Sequence, residues 1–253
     1  MADDEFAIID KYFSSIGWQS DQTVVQGPGD DCAILSVPPG QELLVSTDTL
    51  LSGVHFPDGA SGGVVATRSF GAAVSDLAAM GAEPYAFTGA LTMPGVDHDW
   101  LSEFSKCLSE LSNKFELPLV GGNLTQGPLS ITFTVMGLAP LGESLKRSGA
   151  RTGDDIYVSG HPGDAGAGLE LLLGGRSEYP ELINSYLYPR PQIALGKQLR
   201  TIANAAIDIS DGLAADLGHL IKSSGVCAEI DISMLPLSDA IIEFADHSKA
   251  ISL

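Results

Sequence analysis

Leu129-Ser130-Ile131-Thr132-Phe133-Thr134-Val135 alternates apolar and hydroxyl side chains without a break. Successive strand residues point to opposite faces, so the stretch predicts a strand over 129–135 with one face buried. Working outward, residues 99–115 put Leu101, Phe104, Leu108, Leu111 and Phe115 at helical spacing, with Asp97 or Asp99 available as a cap. Residues 86–93 read as a strand and 64–80 as a helix. Residues 42–48 read as a strand ending on Asp48, and Cys32 to Val37 as a short one. Alternating strands and helices of this kind predict an α/β domain over 1–140. Pro140 to Asp154 is glycine-rich, carries Arg147 and Arg151, and reads as the domain boundary. A second domain over 151–253 follows, with strands at 155–159, 206–209 and 226–232. Its helices are expected after a glycine-rich turn at 160–168, running through Leu173, and at 191–205 and 212–223. The sequence stops at Ser252-Leu253 in what reads as the start of another strand, so this α+β domain is expected to be incomplete.

Charge narrows the function. The chain of 253 residues has 32 Asp+Glu against 13 Lys+Arg, a net charge of −19. Such a chain repels polyanions, which argues against nucleic acid as a partner. Cys32, Cys107 and Cys227 are widely separated and contain no Cys-x-x-Cys, as suits a reducing cytoplasm. The acidic start, Met1-Ala2-Asp3-Asp4-Glu5, has the wrong charge for a signal peptide, and no apolar run is long enough to predict a membrane span.

Carboxylates beside turns or inside apolar runs are the candidate site residues, because acids placed there suit hard cations better than a core. Asp30 follows the turn Gly27-Pro28-Gly29; it either favours the turn or supplies oxygen to a metal–phosphate cluster. Ser46-Thr47-Asp48 offers two hydroxyls and a carboxylate in a row, or a simple Asp–Thr turn, with His55 in the loop beyond. Asp76, within Gly71 to Gly81, shares a helical face with Ala72, Ala73, Ala79 and Met80. Either a cation or strong donors meet it there, or it caps a second short helix. In Asp208-Ile209-Ser210-Asp211-Gly212 a strand passes into a helix; Ser210 or Asp211 serves as N-cap, and the helix start is offered to a phosphate. Gly121-Gly122-Asn123 suits close approach of backbone to a phosphate. P-loop, dinucleotide-binding, protein-kinase and Gly-x-Ser-x-Gly motifs are absent from the sequence.

Taken in order, Gly29-Asp30-Asp31, Thr47-Asp48 with His55-Phe56, Ser75-Asp76-Leu77-Ala78-Ala79-Met80-Gly81-Ala82 and Asp208 to Leu213 resemble the thiamine-monophosphate kinases, from near the N-terminus to the last residues. The resemblance implies ATP-dependent phosphorylation of thiamine monophosphate to the diphosphate. It implies several Mg2+ ions held by Asp30, Ser46, Thr47, Asp48, Asp76, Asn123, Asp208 and Asp211. It further implies ATP contacts from Gly121, Gly122, Asn123, Arg147 and Ser210, and His55 facing the thiamine substrate. No catalytic general base is implied. The implied fold is an N-terminal α/β domain whose strands build a β-barrel across a homodimer, followed by a C-terminal α+β domain. Two departures stand out: Asn123 replaces the family's usual Asp, and the family's Gly-Gly-Glu-Asp-Tyr-Glu segment would begin just beyond Leu253. The alternatives are a related ATP-using enzyme acting on another small substrate, and a non-catalytic nucleotide-binding remnant.

Overall fold

A computed structural model describes residues 5–17 and 24–251. Its elements are α1 (Glu5–Tyr12), β1 (Val24–Gln26), β2 (Ile34–Leu35), β3 (Gln41–Leu51), α2 (Gly62–Ala79), β4 (Glu83–Met93), α3 (His98–Phe115), β5 (Leu119–Gln126) and β6 (Ser130–Pro140). Helices α4 (Asp164–Leu173), α5 (Pro180–Leu187), α6 (Ile193–Leu199), α7 (Leu213–Ser224) and α8 (Asp239–Ile251) follow, with a single 3-10 turn at Ile232–Met234. The chain packs as two units, one of residues 1–145 with 190–202, the other of 146–189 with 203–253.

The first unit is built on a four-stranded sheet in the order β3-β6-β4-β5. Strand β6 pairs antiparallel with both β3 and β4, and β4 pairs parallel with β5. The alternation that opens the sequence reading holds through β6: Ile131, Phe133, Val135 and Ala139 are buried, with Ser130, Thr132 and Thr134 facing the other way. The strand runs on to Pro140 because Gly137 and Ala139 are small enough to continue that face. A Cβ on Gly137 would lie 2.9 Å from the Leu77 side chain of α2. Phe70 of α2 meets Phe87 and Phe133 edge-on, at centroid separations of 5.6 and 6.4 Å. Such contacts fix α2 on the sheet, since edge-to-face pairs set orientation as well as burying area. Ser61 caps α2 and Asp97, rather than Asp99, caps α3 by accepting from the Asp99 and Trp100 N–H groups. Helix α6 belongs to this unit through close approach to α2. A Cβ on Gly196 would lie 2.0 Å from the Ala78 carbonyl oxygen, and Lys197 pairs with Glu83 at 3.0 Å.

The second unit differs from expectation. Among its described residues only helices and one 3-10 turn form, around Ala167, Leu171, Leu182 and Phe244. The segments 155–159, 206–209 and 226–232 make no ladder. A strand exists only with a hydrogen-bonded partner, and these segments leave apolar side chains such as Tyr157 and Ile209 exposed. Helix α6 is shorter than the expected 191–205, ending at Leu199. Ile251 is the last residue of α8, not the lead-in to a strand, and Ser252-Leu253 lie outside the described residues.

Candidate functional site

In the first unit, Ser46 and Asp48 project from β3 toward α2, where Asp76 meets them. The Ser46 hydroxyl donates to Asp76 Oδ2 at 2.5 Å. Burial, then the Asp76 charge, push the Asp48 carboxyl above its ordinary value, while His55 opposes them. Both acids sit half-buried on the core side of the sheet. Asp76 lies inside one continuous helix, which removes the reading that it caps a second one. Two like charges in partly desolvated surroundings call for a cation between them.

Thr47 is not brought into that cluster. Its hydroxyl is on the opposite face, hydrogen-bonded to Thr134 Oγ1 at 2.9 Å, because neighbouring strand residues face opposite ways. Nor does the strand end at Asp48: it continues to Leu51, and Asp48 is paired with Phe133 in mid-ladder. Asp30 is exposed, and its Oδ1 accepts the Asp31 N–H at 2.8 Å, the turn-forming role. Among the described residues no three His, Cys, Asp or Glu side chains gather as a metal cage.

His55 follows β3 in a tight loop. Its Nδ1 accepts the Leu51 N–H at 3.1 Å, which leaves Nε2 as the ring's donor. Arg68 Nε holds the loop by donating to the His55 carbonyl at 2.6 Å.

Gly121, Gly122 and Asn123 lie within β5. Gly122 is required by packing, since a Cβ there would stand 2.1 Å from the Gly89 carbonyl oxygen of β4. Asn123 is exposed and donates from Nδ2 to Thr125 Oγ1 at 2.7 Å, leaving its carbonyl oxygen as the remaining acceptor. The same three residues border an apolar cavity of about 70 Å³ whose walls include Phe13, Leu91, Phe104 and Leu108.

In the second unit, Ser210 and Asp211 are exposed and Asp208 is half-buried. Neither Ser210 nor Asp211 caps α7; the cap position is Gly212, with no side-chain hydrogen bond. The amides of 210–212 do not present themselves to a phosphate, because Asp216 occupies them. Arg147 is exposed, and its segment is tied down by Ser224. That hydroxyl donates to the Arg147 carbonyl at 2.8 Å and accepts the Gly149 and Ala150 N–H groups, each at 3.1 Å. Asp216 and Ser224 escape a reading of the sequence by motif. Asp216 has a signal of the kind that marked Asp76: an acid on an apolar helical face, with Leu213, Leu217 and Leu220.

Residues 29–139 match the family described as AIR synthase related protein, N-terminal domain. The thiamine-monophosphate kinase of Salmonella typhimurium is 46% identical over 256 residues, covering 99% of this chain and 78% of the relative. The crystal structure of thiamine-monophosphate kinase from Stenotrophomonas maltophilia K279a has a TM-score of 0.87 at 40% identity, covering 94% of this chain and 78% of that one. The structure of AaThiL complexed with AMPPCP and TMP has a TM-score of 0.79 at 33% identity, covering 84% of this chain and 70% of that one. Identity of this extent, reaching through both units, places the chain in the thiamine-monophosphate kinase family.

Proposed function

We propose that the chain transfers the terminal phosphoryl group of ATP to thiamine monophosphate, giving thiamine diphosphate and ADP. The observation that carries this reading is the Asp48–Asp76 pair, two repelling carboxylates, with the Ser46 hydroxyl donating to Asp76. Mg2+ uses one or two carboxylates together with substrate phosphates rather than a cage made wholly of protein, and this pair fits that habit. We assign Mg2+ to Asp30, Ser46, Asp48, Asp76, Asn123, Asp208 and Asp211, while the Thr47 hydroxyl is turned to the opposite face of β3. Bound there, Mg2+ would offset the charge of the ATP phosphates. Gly121, Gly122, Asn123, Arg147 and Ser210 are assigned to ATP. His55 would offer its Nε2–H to the thiamine substrate.

The acceptor is a phosphate monoester whose second pKa is about 6, so at neutral pH it is already a dianion. No side chain has to remove a proton. The task of the chain is to hold two phosphates in line and offset their repulsion. Direct transfer leaves no phosphorylated protein. ADP release that requires both Mg2+ and thiamine monophosphate supports the reading, as does acid-quenched protein free of label from radioactive ATP. ADP release indifferent to thiamine monophosphate refutes the substrate, and labelled protein refutes direct transfer.

The domain of residues 1–140 is proposed to bind Mg2+ and ATP and to dimerise, with 151–253 as a second, C-terminal domain. Edge strand β3 leaves Leu43 and Val45 exposed, the latter by 58%, which supports a homodimer closing a barrel across β3. A solution mass near twice 26.3 kDa, falling to one chain in Val45→Lys, is the expected result; a monomeric unsubstituted chain refutes it. No described helix is long and apolar enough to cross a membrane. The free Cys32, Cys107 and Cys227 support a cytoplasmic setting.

A further inference from the structure

The segment Asp208 to Gly212 is shaped by a residue outside it. Asp216 lies in the first turn of α7 and is only 4% exposed. One of its oxygens, Oδ2, accepts the N–H groups of Ser210 at 2.9 Å, Asp211 at 3.1 Å and Gly212 at 3.1 Å. Three successive main-chain donors converging on one point form an anion-binding nest, and here the anion is the chain's own carboxylate. A buried carboxylate is tolerable only with such donors, so charge and loop conformation depend on one another. Gly212 adopts φ 116°, a left-handed conformation suited to glycine, which lets the loop wrap around that oxygen.

The consequence reaches the exposed side chains. Gly212 holds the cap position of α7, so neither Ser210 nor Asp211 serves as a helix cap, and both side chains remain at the surface. We infer that Asp216 is a positioning residue which holds the Ser210–Gly212 loop in the conformation that presents Ser210 and Asp211 to MgATP. The inference rests on the kinase reading above, which assigns Ser210 to ATP and Asp211 to Mg2+.

Two variants of the full chain test it. Asp216→Ala vacates the nest, whereas Asp216→Asn keeps an oxygen of the same reach. Residues that orient metal-site groups from behind change affinity or activity by about 10–100-fold. Asp216→Ala should therefore raise the KM for MgATP by at least about tenfold and leave the KM for thiamine monophosphate unchanged. Asp216→Asn should recover most of the loss. In the ligand-free protein, hydrogen exchange at the 210–212 amides should accelerate in the Ala variant and much less in the Asn variant. An unchanged or lowered KM for MgATP in Asp216→Ala overturns the inference, the latter because Asp216 would then be competing with a phosphate for the same amides. A parallel rise in both KM values also overturns it, since that is the mark of general destabilisation. If Asp216→Ala does not fold, an MgATP KM in Asp216→Asn no closer to that of the unsubstituted chain than the KM for thiamine monophosphate overturns it. If the unsubstituted chain shows no turnover, the kinase reading is what fails. Unchanged amide exchange in Asp216→Ala then still overturns the positioning role, and accelerated exchange supports it.

Discussion

Gly122→Ala is a sharp test of how the sheet dictates sequence. Gly122 of β5 stands opposite Gly89 of β4 in the parallel ladder. A Cβ there would lie 2.1 Å from the Gly89 carbonyl oxygen and 3.1 Å from its carbon, both backbone atoms that no rotamer change can move. Close carbon–oxygen contacts begin at about 3.3 Å, so the strands must part locally by roughly 1 Å. Parting by that amount takes one or two ladder hydrogen bonds beyond their working range, at about 1 kcal/mol each. Overpacking strain adds about 1–3 kcal/mol, giving about 2–5 kcal/mol in all. For a chain of this size each kcal/mol lowers Tm by about 2–4 °C. The neighbouring Gly121→Ala is the control, because its Cβ would meet only the Thr88 methyl at an ordinary 3.7 Å. Calorimetry should show Gly122→Ala melting at least about 4 °C below the unsubstituted chain, with Gly121→Ala within about 2 °C. Equal melting of the two variants would refute the argument that β4, rather than a bound phosphate, requires glycine at 122.

Two further predictions concern the acidic pair. Asp48→Asn removes one of two repelling charges, so Tm in metal-free neutral buffer should hold or rise. The Mg2+ concentration for half-maximal activity should rise at least about tenfold, the scale seen even for outer partners of metal ligands. A lower Tm with unchanged Mg2+ dependence would contradict the assignment. Burial and Asp76 raise the folded-state value of Asp48 above its unfolded value near 3.8, so the folded chain binds that proton more tightly. The contribution of this group to metal-free stability should therefore fall as pH rises from 3.8 through the raised value, and Asp48→Asn should lack that slope. Thermal melts of both chains across acidic pH measure it, and identical slopes would show that Asp48 titrates normally.

Legibility in the sequence followed how local each constraint is. β6 announces itself because every second residue from Leu129 to Val135 is apolar, and a pattern of period two needs no knowledge of the partner strand. The same period shows why Ser46-Thr47-Asp48 misleads as an oxygen set: consecutive strand residues cannot share a face, and Thr47 turns to Thr134. The strands expected at 155–159, 206–209 and 226–232 depend on pairing, which composition alone does not specify. Asp76 was legible because a carboxylate among alanines demands compensation. Asp216 met the same criterion, but its donors are backbone amides of residues just upstream, so no partner side chain marks it.

Phosphorus NMR of the purified chain with MgATP and thiamine monophosphate tests the central claim most directly. The monoester signal should decline as the two resonances of thiamine diphosphate and those of ADP grow together. ATP and thiamine monophosphate left intact, or ATP converted only to ADP and orthophosphate, would contradict it.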